Sequence, residues 1–360
     1  MNIVFRTDAS LKMGSGHLMR CLTLADALKA QGAHCHFICR EHPGHLNNFV
    51  LERGHSLHVL PFIARNMLDD PFVPVHAGWL GAPWYEDAEQ TAAVLETVQP
   101  DWLVVDHYAL EKRWEQEVSR HCNRLMALDD LADRSHYCDL LLDQSLGRTS
   151  EDYHGLIPDA CRLLLGPSYA LLRPKFSELR ARSLASRKNR SLSKILISMG
   201  GVDASNATGM VLQVLGSIVD PNWQIQVVMG ANAPWLSDVC HQVELMQCFT
   251  QLLVNTPDMA SLMSDADIAI GAAGSTSWER CCLGLPTIML ILAENQRLIG
   301  QRLHEAGAAF LIPSIEQIPA LLPIYVENLH SPEELTRASK NATVFVDGIG
   351  TQRAIEAMMK

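Results

Sequence analysis

Short, almost wholly apolar runs recur along this chain between stretches with helical spacing, and that alternation restricts the fold more than any other feature. In the first half the runs fall at residues 3–5, 35–39, 57–60, 102–105, 125–128 and 140–142. Helical spacing fills the gaps, most clearly over 18–30 and 86–98. Strands that are apolar on both faces need cover on both, which is the condition of a parallel sheet built from βα units. The alternation restarts at 195–199 and continues through 225–228, 268–270, 287–292 and 309–312. At 360 residues the chain exceeds the size at which a single core stops growing. The expected fold is therefore α/β, with two doubly wound parallel-sheet domains facing across a cleft.

The expected division is a first domain over 1–180, a linker over 181–193, a second domain over 194–335, and a helical segment over 336–360 that packs back on the first domain. The linker assignment rests on Arg180, Arg182, Arg187, Lys188, Arg190 and Lys194 interleaved with serines, which read as a solvated basic stretch, with a phosphate-binding patch as the alternative. Residues 69–84 are rich in proline and aromatic side chains without periodicity and are expected to form a long loop.

Charge narrows the partners. With 29 basic against 40 acidic residues the net charge is −11, so nucleic acid and anionic membrane are poor candidates. Ten cysteines are scattered with no C-x-x-C pair, as in a reducing compartment. His34, Cys35, His36 and Cys39 read as alternating faces of a strand rather than as zinc ligands. No signal-peptide pattern opens the chain, and the longest apolar run, 285–293, is too short to span a bilayer. A cytoplasmic protein without membrane insertion, metal, cofactor or obligate protein partner is expected.

The first strand ends in Arg6-Thr7-Asp8-Ala9-Ser10 and passes through Gly14-Ser15-Gly16 into a helix that begins at or near His17. The positive end of that helix disfavours an imidazolium, so His17 is expected to act as a proton acceptor. A loop histidine, or a glycine turn cradling a phosphate, are the alternatives. Other polar residues end the following strands: Asp106-His107-Tyr108, then Asp129 and Asp130, then Asp143-Gln144. With Asp8 they form what reads as the rim of a pocket at one sheet edge.

In the second half, Met199-Gly200-Gly201-Val202-Asp203 follows a strand and leads into a helix, as a phosphate loop does. Gly271-Ala272-Ala273-Gly274-Ser275-Thr276-Ser277 repeats the arrangement, with Glu279 one turn into the next helix, where a carboxylate can accept from a ribose diol. An ordinary first-turn glutamate is the alternative for Glu279. Neither loop ends in Lys-[Ser/Thr], which disfavours triphosphate hydrolysis, and no G-x-G-x-x-G dinucleotide fingerprint is present. Asp265-Ala266-Asp267 has the D-x-D form that binds a metal–nucleotide complex in some transferases, but between a helix and a buried strand it reads as a structural turn.

These motifs, taken with Arg20, Gly166-x-x-Tyr169-Ala170-Leu171-Leu172-Arg173 and Glu294-Asn295-Gln296, resemble a bacterial UDP-sugar hydrolase family. Its members hydrolyse UDP-2,4-diacetamido-2,4,6-trideoxy-β-L-altropyranose in pseudaminic acid biosynthesis. The resemblance runs from the first strand to about Gln296, and beyond it the second domain is shared more loosely with GT-B glycosyltransferases, including the N-acetylglucosaminyltransferase that makes lipid II. It implies a GT-B-like fold and a small-molecule UDP-sugar substrate. His17 would be the base that activates a water against the anomeric carbon, with UDP leaving. It further implies that Arg6, Asp8, Gly14, Gly16, Arg20, Asp106, His107, Tyr108, Arg173, Asn295 and Gln296 surround the substrate. Gly200, Gly201, Gly274, Ser275, Thr276 and Glu279 would hold UDP. The chain departs from the family's pattern at Met13, where isoleucine is usual, and around 69–84, to which no role is assigned. Two other functions fit the same residues: a GT-B glycosyltransferase using a UDP-N-acetylhexosamine, and a non-catalytic sugar-nucleotide sensor.

Overall fold

The computed structural model describes residues 1–63 and 74–360. The chain divides into two compact units, Met1–Leu171 with Gly350–Lys360, and Leu172–Ile349.

The first unit runs β1 (Asn2–Thr7), α1 (Gly16–Ala30), β2 (His34–Arg40), α2 (Asn47–Glu52), β3 (Ser56–Leu60), α3 (Trp84–Val98), β4 (Trp102–Asp106), α4 (Lys112–Val118), β5 (Arg124–Leu128), β6 (Leu140–Asp143) and β7 (Arg162–Leu165). Its seven strands lie in the order β3-β2-β1-β4-β5-β6-β7, all parallel. Alternate residues explain the two apolar layers. Ile3 and Phe5 face the side covered by α1, where Phe5 stacks on Phe37 at 4.9 Å, while Val4 joins Leu103, Val105 and Trp114 on the other side. The expectation over 69–84 lies outside the described residues up to 73. From 74 onward a short 3-10 turn, Ala77–Trp79, leads to α3.

The second unit runs α5 (Pro174–Ser186), β8 (Lys194–Ser198), α6 (Ala207–Ile218), β9 (Gln224–Met229), α7 (Leu236–Glu244), β10 (Phe249–Val254), α8 (Met259–Asp265), β11 (Ile268–Ala272), α9 (Thr276–Cys282), β12 (Thr287–Leu290), α10 (Arg297–Glu305), β13 (Ala309–Ile312), α11 (Ile318–Asn328) and α12 (Pro332–Thr343). Its sheet order is β10-β9-β8-β11-β12-β13, again all parallel. The last helix, α13 (Gly350–Met358), belongs to the first unit, where Ala354, Ile355 and Met358 join the core beside α1.

The basic run at 180–194 is not a solvated linker. It forms the end of α5 and a 3-10 turn, and Arg180, Arg187 and Arg190 serve helix C-termini, whose last carbonyls lack intrahelical partners. Buried Arg187 donates to the carbonyls of Leu283 at 2.8 Å, Ala266 at 2.9 Å and Met263 at 2.8 Å, the ends of α9 and α8. Arg180 donates to Cys282 and to Thr343, the ends of α9 and α12. Burial pushes the Arg187 guanidinium down to about 9. The Asp267 carboxylate accepts from the amides of Ser193 and Lys194, so the Asp265-Ala266-Asp267 segment is a turn tied to the start of β8.

Candidate functional site

In a sheet ordered 3-2-1-4-5, successive strands run outward in opposite directions from the first and fourth strands, and the crevice beyond their carboxyl ends is where such folds bind ligands. In the first unit those strands are β1 and β4. After β1, Ser10 and Gly14 form an antiparallel bridge, with Gly14 at φ +76°, a conformation that favours glycine. The chain then enters α1 at Gly16, which places His17 in the first turn. β4 ends at Asp106, paired in register with Thr7 of β1. Asp106 has no exposed surface, and His17 Nδ1 lies 2.6 Å from its Oδ1.

Arg20, one turn after His17 and therefore on the same helix face, donates to both Asp106 oxygens at 2.5 and 2.7 Å. Its Nη1 reaches Asp130 Oδ2 at 2.5 Å, and the Tyr108 hydroxyl donates to that same oxygen at 2.9 Å. Burial alone would raise the Asp106 carboxyl, but Arg20 and His17 hold it well below the usual range. Burial raises the Tyr108 hydroxyl, and the neighbouring Asp130 raises it further. An ionised carboxylate at Nδ1 requires that nitrogen to carry a proton, so Nε2 is the nitrogen that can take up or give up the second one. Among the described residues Nε2 has no hydrogen-bond partner.

Arg6 and Asp8 lie behind this site, fully buried. Arg6 binds Asp87 at 2.6 Å and Asp8 at 2.8 Å, and Asp87 also takes Arg40 at 2.7 Å and the Trp114 indole at 3.0 Å. Asp8 accepts from the Arg40 amide at 2.6 Å, with His42 and His107 each 3.3 Å away. Burial lowers His107, only partly offset by Asp8. Three of the residues expected near substrate, Arg6, Asp8 and His107, are thus engaged with one another, with β2 and with Asp87 of α3, fixing the end of β1 from within the core.

Sequence reasoning gave no role to His76 and Trp79. Both rings stand beside the His17 site: Trp79 is 6.5 Å from His17 and 6.0 Å from Tyr108, and His76 is 4.4 Å from Trp79. The aromatic content of that segment was the only available signal.

In the second unit the strands that flank the crevice are β8 and β11. Gly200, at φ +95°, and Gly201 are exposed after β8. The first amides of α6 are already taken: the Asp203 carboxylate accepts from Ala207 and Thr208, each at 2.9 Å, and Asn206 caps Gly209. After β11 the situation differs. Ser275 precedes α9 without a side-chain cap, and Gly274, Ser275 and Thr276 are at least partly exposed. Gln296 accepts from the Leu292 amide at 3.0 Å, and a Cβ at Gly274 would lie 3.9 Å from its Nε2, so the loops after β11 and β12 converge with half-buried Asn295 beside them. Arg173 lies in this second unit, paired with Glu279 at 3.3 Å. Burial raises the Glu279 carboxyl, and Arg173 only partly offsets it.

Among the described residues no group of three or more His, Cys, Asp and Glu side chains is placed to hold a metal ion. No described helix is long and apolar enough to cross a membrane.

Comparison with known proteins agrees with this architecture. The chain is 24% identical to the UDP-2,4-diacetamido-2,4,6-trideoxy-beta-L-altropyranose hydrolase of Campylobacter jejuni, over 85% of this chain and 97% of that one. It is 25% identical to the Methanocaldococcus jannaschii protein MJ1062 over 82% of this chain, but spans only 57% of that longer protein. Among solved structures, Acinetobacter baumannii MurG superposes with a TM-score of 0.68, covering 99% of both chains at 13% identity. Residues 195–352 match the glycosyltransferase family 28 C-terminal domain, and the protein as a whole has the two-domain GT-B fold.

Proposed function

We propose that this chain is an enzyme acting on a sugar nucleotide, and that it hydrolyses a UDP-linked diacetamido-trideoxy hexose. The observation that carries the proposal is the His17–Asp106 pair: a 2.6 Å hydrogen bond at Nδ1, an Nε2 without a hydrogen-bond partner among the described residues, and a position at the crevice of the first sheet.

In the proposed reaction His17 Nε2 takes a proton from water while the water oxygen forms a bond to the anomeric carbon. The bond from that carbon to the β-phosphate oxygen breaks, and its electron pair leaves with UDP. Asp106 keeps the imidazole in the reactive tautomer and stabilises the imidazolium as it forms. Arg20, bound to both Asp106 and Asp130, positions the carboxylate rather than the substrate. A single displacement by water inverts the anomeric centre.

The second unit supplies the nucleotide half of the proposal. Small residues at Gly200, Gly201 and Gly274 admit a ligand to the backbone, and the Ser275 and Thr276 hydroxyls and amides donate to phosphate oxygens. Glu279 accepts from ribose hydroxyls, and Asn295 and Gln296 offer both donor and acceptor to an acetamido group. The similarity to the Campylobacter hydrolase over nearly the full length of both chains supports water as the acceptor.

A second reading, transfer of the sugar to an acceptor hydroxyl, is favoured by the family 28 domain and the likeness to MurG. The two separate on one experiment. The protein is incubated with UDP-2,4-diacetamido-2,4,6-trideoxy-β-L-altropyranose, and separately with UDP-N-acetylglucosamine, with no acceptor, while UDP and free sugar are followed by NMR. Hydrolysis predicts release from the first alone. Two intact substrates would favour transfer to an absent acceptor.

A further inference from the structure

Four rings gather at the His17 site, and two of them belong to the segment that the sequence left without a role. His17 meets Tyr108 edge to face, with ring centroids 4.5 Å apart and planes at 88°. His76 lies 5.5 Å from Tyr108 and 4.4 Å from Trp79. Of the inner pair, His17 is held at Nδ1 by Asp106, with Nε2 left open, and the Tyr108 hydroxyl is held by Asp130. Both inner rings are buried, whereas His76 and Trp79 are half-buried and keep exposed ring surface. Burial lowers His76, with Asp133 opposing it and the nearby Arg134 and His17 acting in the same direction as burial, which favours the uncharged ring. Around the proton acceptor the protein therefore presents two partly exposed aromatic rings, with the Arg134 guanidinium 5.6 Å over the inner Tyr108 ring and paired with Asp129 and Asp133.

Aromatic faces cover C–H and methyl surface, whose removal from water is favourable. The sugar named in the Campylobacter relative has lost its hydroxyls at positions 2, 4 and 6, and carries two acetamido groups and a C6 methyl in their place. That makes three methyl groups on one pyranose. An ordinary hexose would instead bring a hydroxymethyl group whose hydrogen bonds to water would be lost against these rings.

We propose that His76 and Trp79, with Tyr108 behind them, form an aromatic wall that binds the methyl-bearing face of a deoxy-acetamido sugar and sets the specificity of the site. The proposal rests on the reading of the protein as an enzyme of such sugar nucleotides. The wall acts on binding of the sugar and does not touch the nucleotide.

The test uses the full-length protein, its Trp79→Ala and Trp79→Phe variants, UDP, and two substrates that differ only at C6, methyl or hydroxymethyl. Trp79→Ala is expected to raise KM for the 6-deoxy substrate by about tenfold to a hundredfold, the range for lost methyl contacts, with kcat within about threefold and UDP affinity unchanged. Trp79→Phe restores most of the KM. Wild type prefers the 6-deoxy over the 6-hydroxy compound by about the same factor, and Trp79→Ala narrows that preference. In saturation-transfer NMR, irradiation of protein aromatic protons reaches the methyl groups of the bound 6-deoxy sugar in wild type and fades in Trp79→Ala.

An unchanged KM with unchanged transfer to the methyls overturns the wall. Loss of UDP affinity in step with KM overturns it too, since the substitution would then have disturbed the fold. Transfer to the methyls without turnover would uphold the wall while the hydrolase reading falls. Turnover without such transfer would uphold the hydrolase and sink the wall.

Discussion

The two sheets share the strand order 3-2-1-4-5-6, yet the crevices they open are chemically opposite. In the first unit the crevice is lined by His17, Arg20, Asp106 and Asp130, locked together by short charged hydrogen bonds and backed by the fully buried set of Arg6, Asp8, Arg40 and Asp87. In the second it is lined by Gly200, Gly201, Gly274, Ser275 and Thr276, with one ion pair, Arg173–Glu279, beside it. A preorganised charge network suits a step in which a proton moves and charge appears, because the dipoles are already in place. Small residues and uncapped amides suit a phosphate that must approach the backbone closely. In the proposed function, one topology would carry a reacting site in one unit and a holding site in the other.

Four results would break or sharpen that contrast. The largest effect is expected at His17. His17→Asn should lower kcat by about a hundredfold to ten-thousandfold, the range for a lost general base, with UDP affinity nearly unchanged in a calorimetric titration. An equal loss of both would place His17 in the holding site. Next is Asp87→Ala, which leaves Arg6 and Arg40 as buried cations short of a partner. It should cost about 3–5 kcal/mol in denaturant unfolding, and a cost below about 1 kcal/mol, as for an exposed pair, would show the network to be peripheral.

The third result uses pH, and its sign differs between the units. The Asp106 carboxyl is held below its ordinary value, so its contribution to stability is full above about pH 4, the unfolded range, and fades as the pH falls toward its folded value. Glu279 is raised, so its ionisation costs stability above the unfolded value of about 4.3, and that cost is absent at lower pH. Asp106→Asn should therefore lower the neutral-pH melting temperature and flatten its acid limb. Glu279→Gln should leave the melting temperature equal or higher. Two variants that melt alike would erase the electrostatic distinction. The smallest effect is on binding, where Glu279→Ala should weaken UDP by about tenfold and leave kcat within about twofold. Unchanged affinity would remove Glu279 from the ribose.

The interior strands were legible in the sequence because burial on both faces leaves a run such as 102–105 without polar residues. The two strands that the periodicity did not show are edges. β10 has an exposed alternation that includes Phe249, and β7 is a four-residue strand beginning at Arg162. The arginines over 180–194 misled for a related reason: their partners are main-chain carbonyls about 75 to 163 residues away, and a carbonyl leaves no mark on the sequence. Strand-end logic found His17 and Asp106 separately. Their hydrogen bond spans 89 positions and needed the sheet order to bring β1 beside β4. His76 and Trp79 lie in a segment without periodicity, so nothing tied them to His17 until the fold did.

The atom that water attacks separates chemistry at the sugar from chemistry at phosphorus. Turnover of UDP-2,4-diacetamido-2,4,6-trideoxy-β-L-altropyranose in ¹⁸O-water, followed by mass spectrometry of the released UDP, reads that atom directly. Attack at the anomeric carbon under His17 predicts UDP free of ¹⁸O. UDP carrying ¹⁸O on its β-phosphate would mean attack at phosphorus, and would contradict the assignment of the chemistry to the first unit's sugar site.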